Sequence, residues 1–488
     1  MTGGTAGNGS HGITRRGFFV GGAAGLVAGA GLPLGLERLF GGPADLETFG
    51  AGDQLTVLSG RDETDGGQRR ALVDLWNQVH QEHPARVVEV SSNADRAYST
   101  MLSAAQAKDA AYDVYNLDIP WVPQFAQSGY LRALDDASDD GFLRRPWAAG
   151  TWDGATYALP FNSDVGLLYC NLDLITEFYE GSVPATDPIP VHDDWAGLDR
   201  FAHEVLAVVG GDRPGLARPP VDTAIAQQLA DYEGFTVNLW EVLLGAGAVS
   251  VDDAGRPVFG DLGRVAATVE GLAARLRPAS DGGGGGASLA FDEQGSLAAF
   301  AAGHAVFLRH WPRALRLLRG EDAAPFRVGF MPVPGGGVLG GQSLAVAAAS
   351  RHPVAARRLV EFLTDERSHQ VIFERGGFAA SREAPYRDPA APWAREAETD
   401  GLAASLVDYA TGKGVEGTDD PGRKANSALR QALDGASPRP RLQHYVELSE
   451  ELRRYVRAAL SPDDPIRFDA AELAARMDAA MDGRVTRG

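Results

Sequence analysis

Two aspartates in this chain lie where a carboxylate could take part in chemistry. Asp118 directly follows a β-forming run, residues 112–117, and Asp164 lies in the polar middle of a long extended run, residues 157–171. A pair of carboxylates can act as general acid and general base in glycoside hydrolysis. Each aspartate also has a structural role open to it, since Asp118 could cap a helix and Asp164 could be a surface acid at the end of a strand.

Other catalytic patterns do not occur in the sequence. It contains no nucleophile elbow, no His-Glu-x-x-His pair and no phosphate-binding loop, and the glycine run at residues 282–286 lacks the spacing of such a loop. A single cysteine, Cys170, cannot form a disulfide within the chain or build a cysteine metal cage. We therefore expect neither a metal nor a cofactor.

Composition restricts the class of protein further. With 488 residues the chain is long enough for two large domains or about three smaller ones. Hydrophobic residues at 44% and charged residues at 23% are typical of a globular protein and exclude general disorder. The 65 acidic residues outnumber the 45 basic ones, and the net charge of -20 repels phosphate backbones. Nucleic acid is therefore not an expected partner.

The elements that must position the polar residues alternate between strand and helix. Apolar periodicity predicts strands at residues 55–59, 86–90 and 112–117, and helices at residues 68–79 and 96–107. Such alternation is typical of an α/β fold with a mainly parallel sheet, whose ligands lie outside the carboxyl ends of the strands. The polar stretches at residues 61–65 and 118–121 follow predicted strands, as a binding site there requires.

The second half of the chain continues in the same way. The extended run at residues 157–171 is long enough to cross between two lobes. Further helices are predicted at residues 195–209, 223–244, 291–302, 354–373, 402–410 and 445–460, a hairpin at 249–259, and extended segments at 304–308 and 326–333.

Several segments occur in an order that points to one protein family. They are residues 113–118 with Trp121, residues 157–160, Asp164 with residues 166–169, residues 300–306 with Trp311 and Pro312, residues 340–346, and Arg439 and Pro440 with Tyr445 and Ser449. In this order, over about residues 53–480, the chain resembles the extracellular solute-binding proteins of ABC importers, in particular those that take carbohydrates such as maltose and trehalose.

The resemblance implies a class II periplasmic-binding-protein-like α/β fold. Each of its two lobes is a mainly parallel sheet flanked by helices, and hinge closure traps the ligand between them. The implied divisions are residues 1–36, an export signal or membrane anchor; 37–52, a linker; 53–160, the first part of the N-terminal lobe; 161–308, the first part of the C-terminal lobe; 309–390, the return to the N-terminal lobe; and 391–488, a helical region shared between the lobes.

The same resemblance implies binding without turnover. The protein would act as a monomer that captures a small solute, a carbohydrate, and delivers it to the membrane subunits of an ABC permease. Two alternatives stay open: a binding protein that senses a ligand without transport, and a secreted enzyme acting on glycans. An iron-binding protein of the same fold would need adjacent tyrosines, and the sequence contains no such pair.

The resemblance also assigns ligand contacts. Asp118 and Asp164 would accept hydrogen bonds from sugar hydroxyls, Trp311 would stack on the sugar, and Gly341 beside Gly340 would let the backbone approach it. Further candidates are the polar or aromatic residues Arg96, Gln68, Trp121, Asn162, Arg313, Gln342 and Arg382. Alternatively, Trp311 and Trp121 could pack between elements, and Arg382 could be an exposed arginine.

Departures from the family pattern concern the identity of the solute. Arg313 and Gln342 stand where the disaccharide binders carry aromatic residues, and Asn162 is a further polar replacement. Loss of two stacking faces argues against plain maltose or trehalose. The pattern favours a charged or heavily hydroxylated solute.

The N-terminal residues resemble a twin-arginine export signal. Arg15 and Arg16 precede an uncharged, weakly apolar stretch that extends to Leu36. No cysteine follows this stretch, so a lipoprotein is not expected. The sequence thus predicts an extracellular or cell-envelope protein that is either released or held by its uncleaved N-terminal segment.

Overall fold

The computed structural model describes residues 47–62, 67–180, 194–211, 218–277, 286–319, 324–387, 421–461 and 465–484. The predicted export signal, most of the linker, the helix predicted at residues 402–410 and most of the glycine run lie outside these residues. Within them, no helix has the length and hydropathy needed to cross a bilayer.

The strands of the described residues are distributed along the whole chain. In chain order they are β1 (Leu55–Ser59), β2 (Ala85–Glu89), β3 (Val114–Asp118), β4 (Thr151–Trp152), β5 (Ala155–Thr156), β6 (Ala158–Val165), β7 (Leu167–Asn171), β8 (Thr223–Ala226), β9 (Val249–Val251), β10 (Pro257–Phe259), β11 (Ala305–His310), β12 (Val328–Pro332) and β13 (Leu339–Val346).

Helices separate most of these strands. In chain order they are α1 (Gln68–Val79), α2 (Ala94–Gln106), α3 (Val122–Gln127), α4 (Arg144–Ala149), α5 (Leu172–Glu180), α6 (Trp195–Val209), α7 (Glu233–Gly245), α8 (Leu262–Arg275), α9 (Glu293–Ala301), α10 (Ala314–Arg319), α11 (Pro353–Leu363), α12 (Glu366–Val371), α13 (Ala384–Arg387), α14 (Pro421–Gly435), α15 (Tyr445–Ala459) and α16 (Ala470–Met481).

Two larger sheets organise the molecule, one in each lobe. The first has the strand order β2-β1-β3-β13-β6, in which β1 pairs in parallel with β2 and β3, and β13 is antiparallel to β3 and β6. The second has the order β12-β7-β11-β8, in which β7 is antiparallel to both neighbours and β8 is parallel to β11. Each sheet therefore contains one reversed strand, and the predicted α/β class of two mainly parallel sheets is confirmed.

Amphipathic helices cover the faces of both sheets. In the first lobe, Leu72 and Trp76 of α1 pack with Leu359 of α11 against β1. In the second lobe, Phe201 of α6 packs with Phe307 of β11. These apolar positions recur at helical spacing along α1 and α6, and their burial supplies the main stabilising free energy of each lobe.

Three chain segments pass between the sheets and meet at one place. The first is at Gly166, between β6 and β7, and the second leads from β12 to β13 through Gly337. The third contains Ser437, whose N–H donates to the Gly337 carbonyl over 2.8 Å. A Cβ at Gly337 would lie 2.7 Å from the Gly166 carbonyl oxygen, so the two glycines allow the segments to touch.

A buried ion pair lies against these crossing segments. Arg309 of β11 and Glu241 of α7 are 2.6 Å apart and both side chains are fully buried. Glu241 also accepts the Val338 N–H over 3.1 Å. A Cβ at Gly166 would lie 1.9 Å from Oε1 of Glu241, which explains glycine at this crossing.

The structure corrects several details of the sequence prediction. Residues 223–226 form β8 rather than the start of a helix, because a short, fully buried apolar run gives no periodicity that separates strand from helix. The helix predicted at 354–373 is divided into α11 and α12, since Asp365 caps a new helix by accepting the Ser368 N–H over 2.7 Å. The return to the first sheet occurs at β13 rather than at residue 309, because β12 pairs with β7.

Candidate functional site

A polar cavity lies between the two sheets, at the carboxyl ends of first-lobe strands. Asp118, Asn162 and Gln342 line it from the first sheet, and Glu233 and Trp311 line it from the second lobe. Parallel strands bring their carboxyl ends to a common edge, which is why residues far apart in sequence meet here.

Asp118 forms an ion pair with Arg439 through both of its carboxylate oxygens. Nη1 of Arg439 donates to Oδ2 of Asp118 over 3.0 Å, and its Nη2 donates to Oδ1. The same Nη1 donates to Glu233, at the start of α7, also over 3.0 Å. Arg439 thus connects a first-lobe carboxylate with a second-lobe carboxylate through charge-assisted hydrogen bonds.

Glu233 is buried and has several donors around it. Ser449 donates to it over 2.6 Å, and the hydroxyl of Tyr445 donates to its other oxygen. Burial raises the pKa of Glu233, and the guanidinium of Arg439 offsets this only partly. Burial opposes the charge of Arg439, but the carboxylate of Asp118 beside it raises the pKa of Arg439 above its ordinary value.

Arg69 of α1 is the centre of a second polar network, inside the first lobe. Its guanidinium donates to the Gln342 side-chain oxygen over 2.6 Å and to that of Asn162 over 3.4 Å. Asn116 of β3 also donates to Gln342, over 3.0 Å. The ring centroids of Phe161 and Phe378 lie 5.6 Å and 5.5 Å from the guanidinium carbon. Arg69 therefore orients two cavity amides, from β6 and β13.

Asp164 of the first lobe and Trp311 of the second lobe both lie beside Gly340 in the cavity. Asp164 accepts a hydrogen bond from Nδ2 of Asn162 over 3.2 Å. A Cβ at Gly340 would lie 3.1 Å from Cβ of Asp164 and 3.0 Å from Cζ3 of Trp311. The absence of a side chain at Gly340 thus leaves room for an acidic acceptor and an aromatic ring at the same part of the cavity.

Gly341 has a backbone conformation that requires glycine. Its φ is +119°, and a Cβ there would lie 2.3 Å from the carbonyl oxygen of Asn162. β13 changes register against β6 immediately afterwards, between Gln342 and Ser343. The irregularity is characteristic of a β-bulge, which turns a side chain toward a site.

Two residues of the second lobe, Arg309 and Tyr169, hold Trp311 in place. The guanidinium of Arg309 lies 4.1 Å from the indole centroid, and the Tyr169 hydroxyl donates to the Trp311 carbonyl over 2.9 Å. Nearby, the Tyr232 hydroxyl donates to Glu293 over 2.6 Å. Burial, followed by the charge of Glu293, raises the pKa of Tyr232, so this phenol is a neutral donor.

The structure brings most of the predicted site residues together. Those that line the cavity are Asp118, Trp121, Asn162, Asp164, Trp311, Arg313, Gly341 and Gln342. Arg96, Gln68 and Arg382 do not line it. Arg96 is exposed on α2, and Gln68 lies one residue before Arg69, the α1 side chain that does reach the cavity. Arg382 donates to the carbonyls of Thr364 and Asp140 and lies over the ring of Phe142, which holds it away from the cavity.

Sequence reasoning missed Arg69, Asn116, Tyr232, Glu233, Glu293 and Arg439 as cavity residues. Arg439 belongs to a motif that carries the family resemblance, and Asn116 lies in the third predicted strand, so both had a local signal. Arg69, Glu233 and Glu293 lie on helices whose apolar pattern gives no sign of a polar function. Only the packing of those helices brings them to the cavity.

The arrangement suits recognition of a polyhydroxylated solute. Carboxylate and amide oxygens accept hydroxyl protons, and an indole face suits the C–H surface of a sugar. No group of three His, Cys, Asp or Glu in the described ranges could hold a metal ion. Both oxygens of Asp118 are engaged by Arg439, which does not favour it as a proton donor to a leaving group.

Comparison with family models identifies one family. Residues 62–370 match the family model of bacterial extracellular solute-binding proteins. A probable ABC transporter-binding protein of Deinococcus radiodurans is 27% identical over 294 residues, or 57% of this chain. The alignment spans 64% of that relative's length.

Solved structures with the same fold include three proteins whose complexes with different solutes are known. The maltose-bound MalE3 of T. maritima has 21% identity and a TM-score of 0.68, with 88% of this chain and 99% of that chain covered. The GacH receptor of Streptomyces glaucescens, solved unliganded and with acarbose, has 21% identity and a TM-score of 0.64, with 88% and 97% covered. UgpB of Mycobacterium tuberculosis with glycerophosphocholine has 16% identity and a TM-score of 0.67, with 89% and 100% covered.

Proposed function

The chain belongs to the bacterial extracellular solute-binding proteins, and on that premise we propose that it captures a sugar or sugar-like solute between its lobes and delivers it to an ABC importer. The observation that carries this proposal is that Asp164 of the first lobe and Trp311 of the second both lie beside Gly340 in the cavity. An acceptor beside an aromatic ring supplies both contacts that a sugar offers, its hydroxyls and its C–H face. The maltose and acarbose complexes of similarly folded proteins support the same solute class.

The charges of the cavity favour a solute richer in polar groups than plain maltose or trehalose. Four arginines and four carboxylates line it, namely Arg61, Arg69, Arg313, Arg439, Asp118, Asp164, Glu233 and Glu293. Arg313 and Gln342 replace two aromatic faces with hydrogen-bonding groups. The solute therefore carries many hydroxyls or a charged substituent.

We further propose how the protein acts in the cell. It is exported by the twin-arginine-type segment at its N-terminus, acts as a monomer and binds its solute without turnover. The membrane subunits of an ABC permease receive the solute. A role in sensing without transport is the second candidate, and uptake of labelled solute by cells with and without the gene separates the two.

A thermal-shift screen of the purified protein tests the solute class. The panel contains maltose, trehalose, acarbose, mannitol, glucuronate and glycerophosphocholine. A solute at 100 times its dissociation constant stabilises the bound form by about 2.7 kcal/mol. If no sugar, polyol or sugar acid raises the melting temperature, the solute class is wrong. Release of reducing sugar from an oligosaccharide would instead establish the enzyme alternative.

A further inference from the structure

A second cavity, of about 390 Å³, lies on the other side of β13 from the solute cavity. Leu339 lines the second cavity, whereas its neighbour Gly340 lines the solute cavity. Successive residues of a strand point to opposite faces, which explains the division at Leu339 and Gly340 of β13. Ile119, in the short 3-10 helix that follows β3, also lines the second cavity, and the preceding Asp118 lines the first. The volume is within the roughly 300–1,000 Å³ of small-molecule pockets.

Arginines dominate the polar lining of the second cavity. They are Arg144 and Arg145 of α4, and Arg439 and Arg441 of the third crossing segment. The one carboxylate in the lining, Asp434, forms an ion pair with Arg430, which is not part of the lining. Because Arg439 is already paired with Asp118 and Glu233, the excess positive charge of the walls comes from the other three arginines.

Most of this charge is not met by a carboxylate. Arg145 donates to the carbonyl of Ala436, and Arg441 donates to the carbonyl and hydroxyl of Thr151. Across the described ranges, no acidic side chain lies within 4.0 Å of Arg144, Arg145 or Arg441 in an ion pair. Backbone carbonyls satisfy hydrogen-bond donors but leave the net charge, which an anion would neutralise.

Two buried N–H groups of the lining arginines also favour an anion. Nε of Arg439 and Nε of Arg441 are both buried and have no hydrogen-bond partner among the described residues. Only 4% of Arg439 is exposed. Buried N–H groups are almost always paired, so each of these atoms calls for an acceptor. Burial also lowers the pKa of Arg441, a cost that a bound anion would reverse.

The rest of the lining is apolar. It consists of Ile119, Pro120, Ala148, Ala149, Leu339 and Pro438. Guanidinium groups bind carboxylates and phosphates through two parallel hydrogen bonds, and the apolar walls suit a hydrocarbon body. We propose that the second cavity binds a small organic anion, a carboxylate or phosphate attached to an apolar group, in addition to the solute bound between the lobes.

Titration calorimetry with phenyl phosphate tests the proposal, at constant ionic strength because salt screens such contacts. The full-length protein should bind phenyl phosphate at one saturable site and should not bind benzyl alcohol, which lacks the charge. Arg144→Gln and Arg441→Gln should each raise the dissociation constant by about tenfold or more. Ala148→Phe, which keeps every arginine but fills the cavity, should abolish binding.

Two control variants locate the anion. Arg132→Gln removes an exposed arginine that, like Arg441, donates to a backbone carbonyl, and it should leave the affinity unchanged. Arg313→Gln removes a positive charge from the solute cavity. If Arg313→Gln weakens phenyl phosphate while Ala148→Phe does not, the anion binds between the lobes and the proposal is wrong. Absence of saturable binding would also overturn it, whatever the sugar screen gives.

Discussion

The guanidinium of Arg439 bonds both oxygens of the Asp118 carboxylate, although 321 residues separate the two in the chain. The same guanidinium reaches Glu233 in the other lobe. The residue expected to bind solute is therefore also part of the contact that connects the lobes. Substitutions here should change stability as well as affinity.

Replacement of Arg439 should destabilise the protein. Arg439→Gln leaves Glu233 buried without its cation, and loss of one partner of a buried pair costs about 3–5 kcal/mol. Asp118→Asn should cost less, because Glu233 still pairs with Arg439. Urea unfolding of both single variants and the double variant gives the coupling free energy.

Asp173→Asn is the control, because it removes a carboxylate that pairs with the half-exposed Arg327. This substitution should cost under about 1 kcal/mol. If Arg439→Gln and Asp173→Asn lower the free energy of unfolding equally, the ion pairs of Arg439 stabilise the fold no more than a half-exposed ion pair does.

Asp164 should matter for solute more than for folding. Asparagine keeps the shape of Asp164 but removes the charge, and a hydrogen bond to a charged acceptor is worth about 1.5–3 kcal/mol. Asp164→Asn should raise the dissociation constant of the best solute in the screen by about ten- to a hundredfold. Calorimetric titration measures this, and urea unfolding should detect little change. Unaltered affinity would remove Asp164 from the binding site.

Trp311 should contribute a stacking face. Trp311→Ala should weaken solute binding by about tenfold, since aromatic packing adds about 0.5–1.5 kcal/mol beyond the area buried. Trp311→Phe retains an aromatic ring and should recover part of the affinity. If instead the melting temperature of the free protein falls steeply at constant affinity, Trp311 serves the packing between lobes.

Acid should destabilise the fold through two buried histidines. Burial first, and then Arg313 near His310 and Arg382 near His369, lowers the pKa of each to about 3. The unfolded chain, with an ordinary pKa of 6.5, then binds more protons than the native state between these values. Stability should therefore fall as the pH falls from about 6.5 toward 3, by roughly 2 kcal/mol per histidine between pH 7 and pH 5.

The slope of stability against pH isolates this effect. Urea unfolding of His369→Gln at several pH values between about 4 and 5.5 should give a slope lower by about 1.4 kcal/mol per pH unit than that of the parent. His310→Gln should lower it similarly. Glu233, whose pKa burial raises, acts in the opposite direction but contributes equally to parent and variants. An unchanged slope in both variants would contradict the prediction.

Solute binding should move the lobes about the crossing segments near Gly166, Gly337 and Ser437. Small-angle scattering of the protein with saturating solute should give a smaller radius of gyration than without it. Glycine is required at Gly166, where a Cβ would collide with Glu241, so Gly166→Ala should impair folding or closure. Gly260→Ala is the matched control, because Gly260, like Gly166, does not have a positive φ, but a Cβ there would have no atom within 4 Å. A constant radius at saturation would argue against the hinge.

Much of the fold could be predicted because the relevant signals are local. The first strand and first helix, Leu55–Ser59 and Gln68–Val79, have the predicted bounds, since apolar spacing reports which face of an element is buried. Asp118 and Asp164 lie at or within predicted strands, but their role in ligand binding was implied by the family resemblance rather than by apolar spacing. The prediction was wrong for β8, whose four buried residues are too few to have a period.

The sequence by itself determined the α/β class, the alternation of strands and helices, and the acidic, aromatic and glycine residues from which a solute cavity is built. Only the tertiary structure decided which charges meet there. It selected Arg69 rather than Gln68, directed Arg382 to the carbonyl of Thr364, and brought Arg439 to Asp118 and Glu233. The reason is physical, because the energy of an ion pair depends on distance in space and leaves no periodic pattern along the chain.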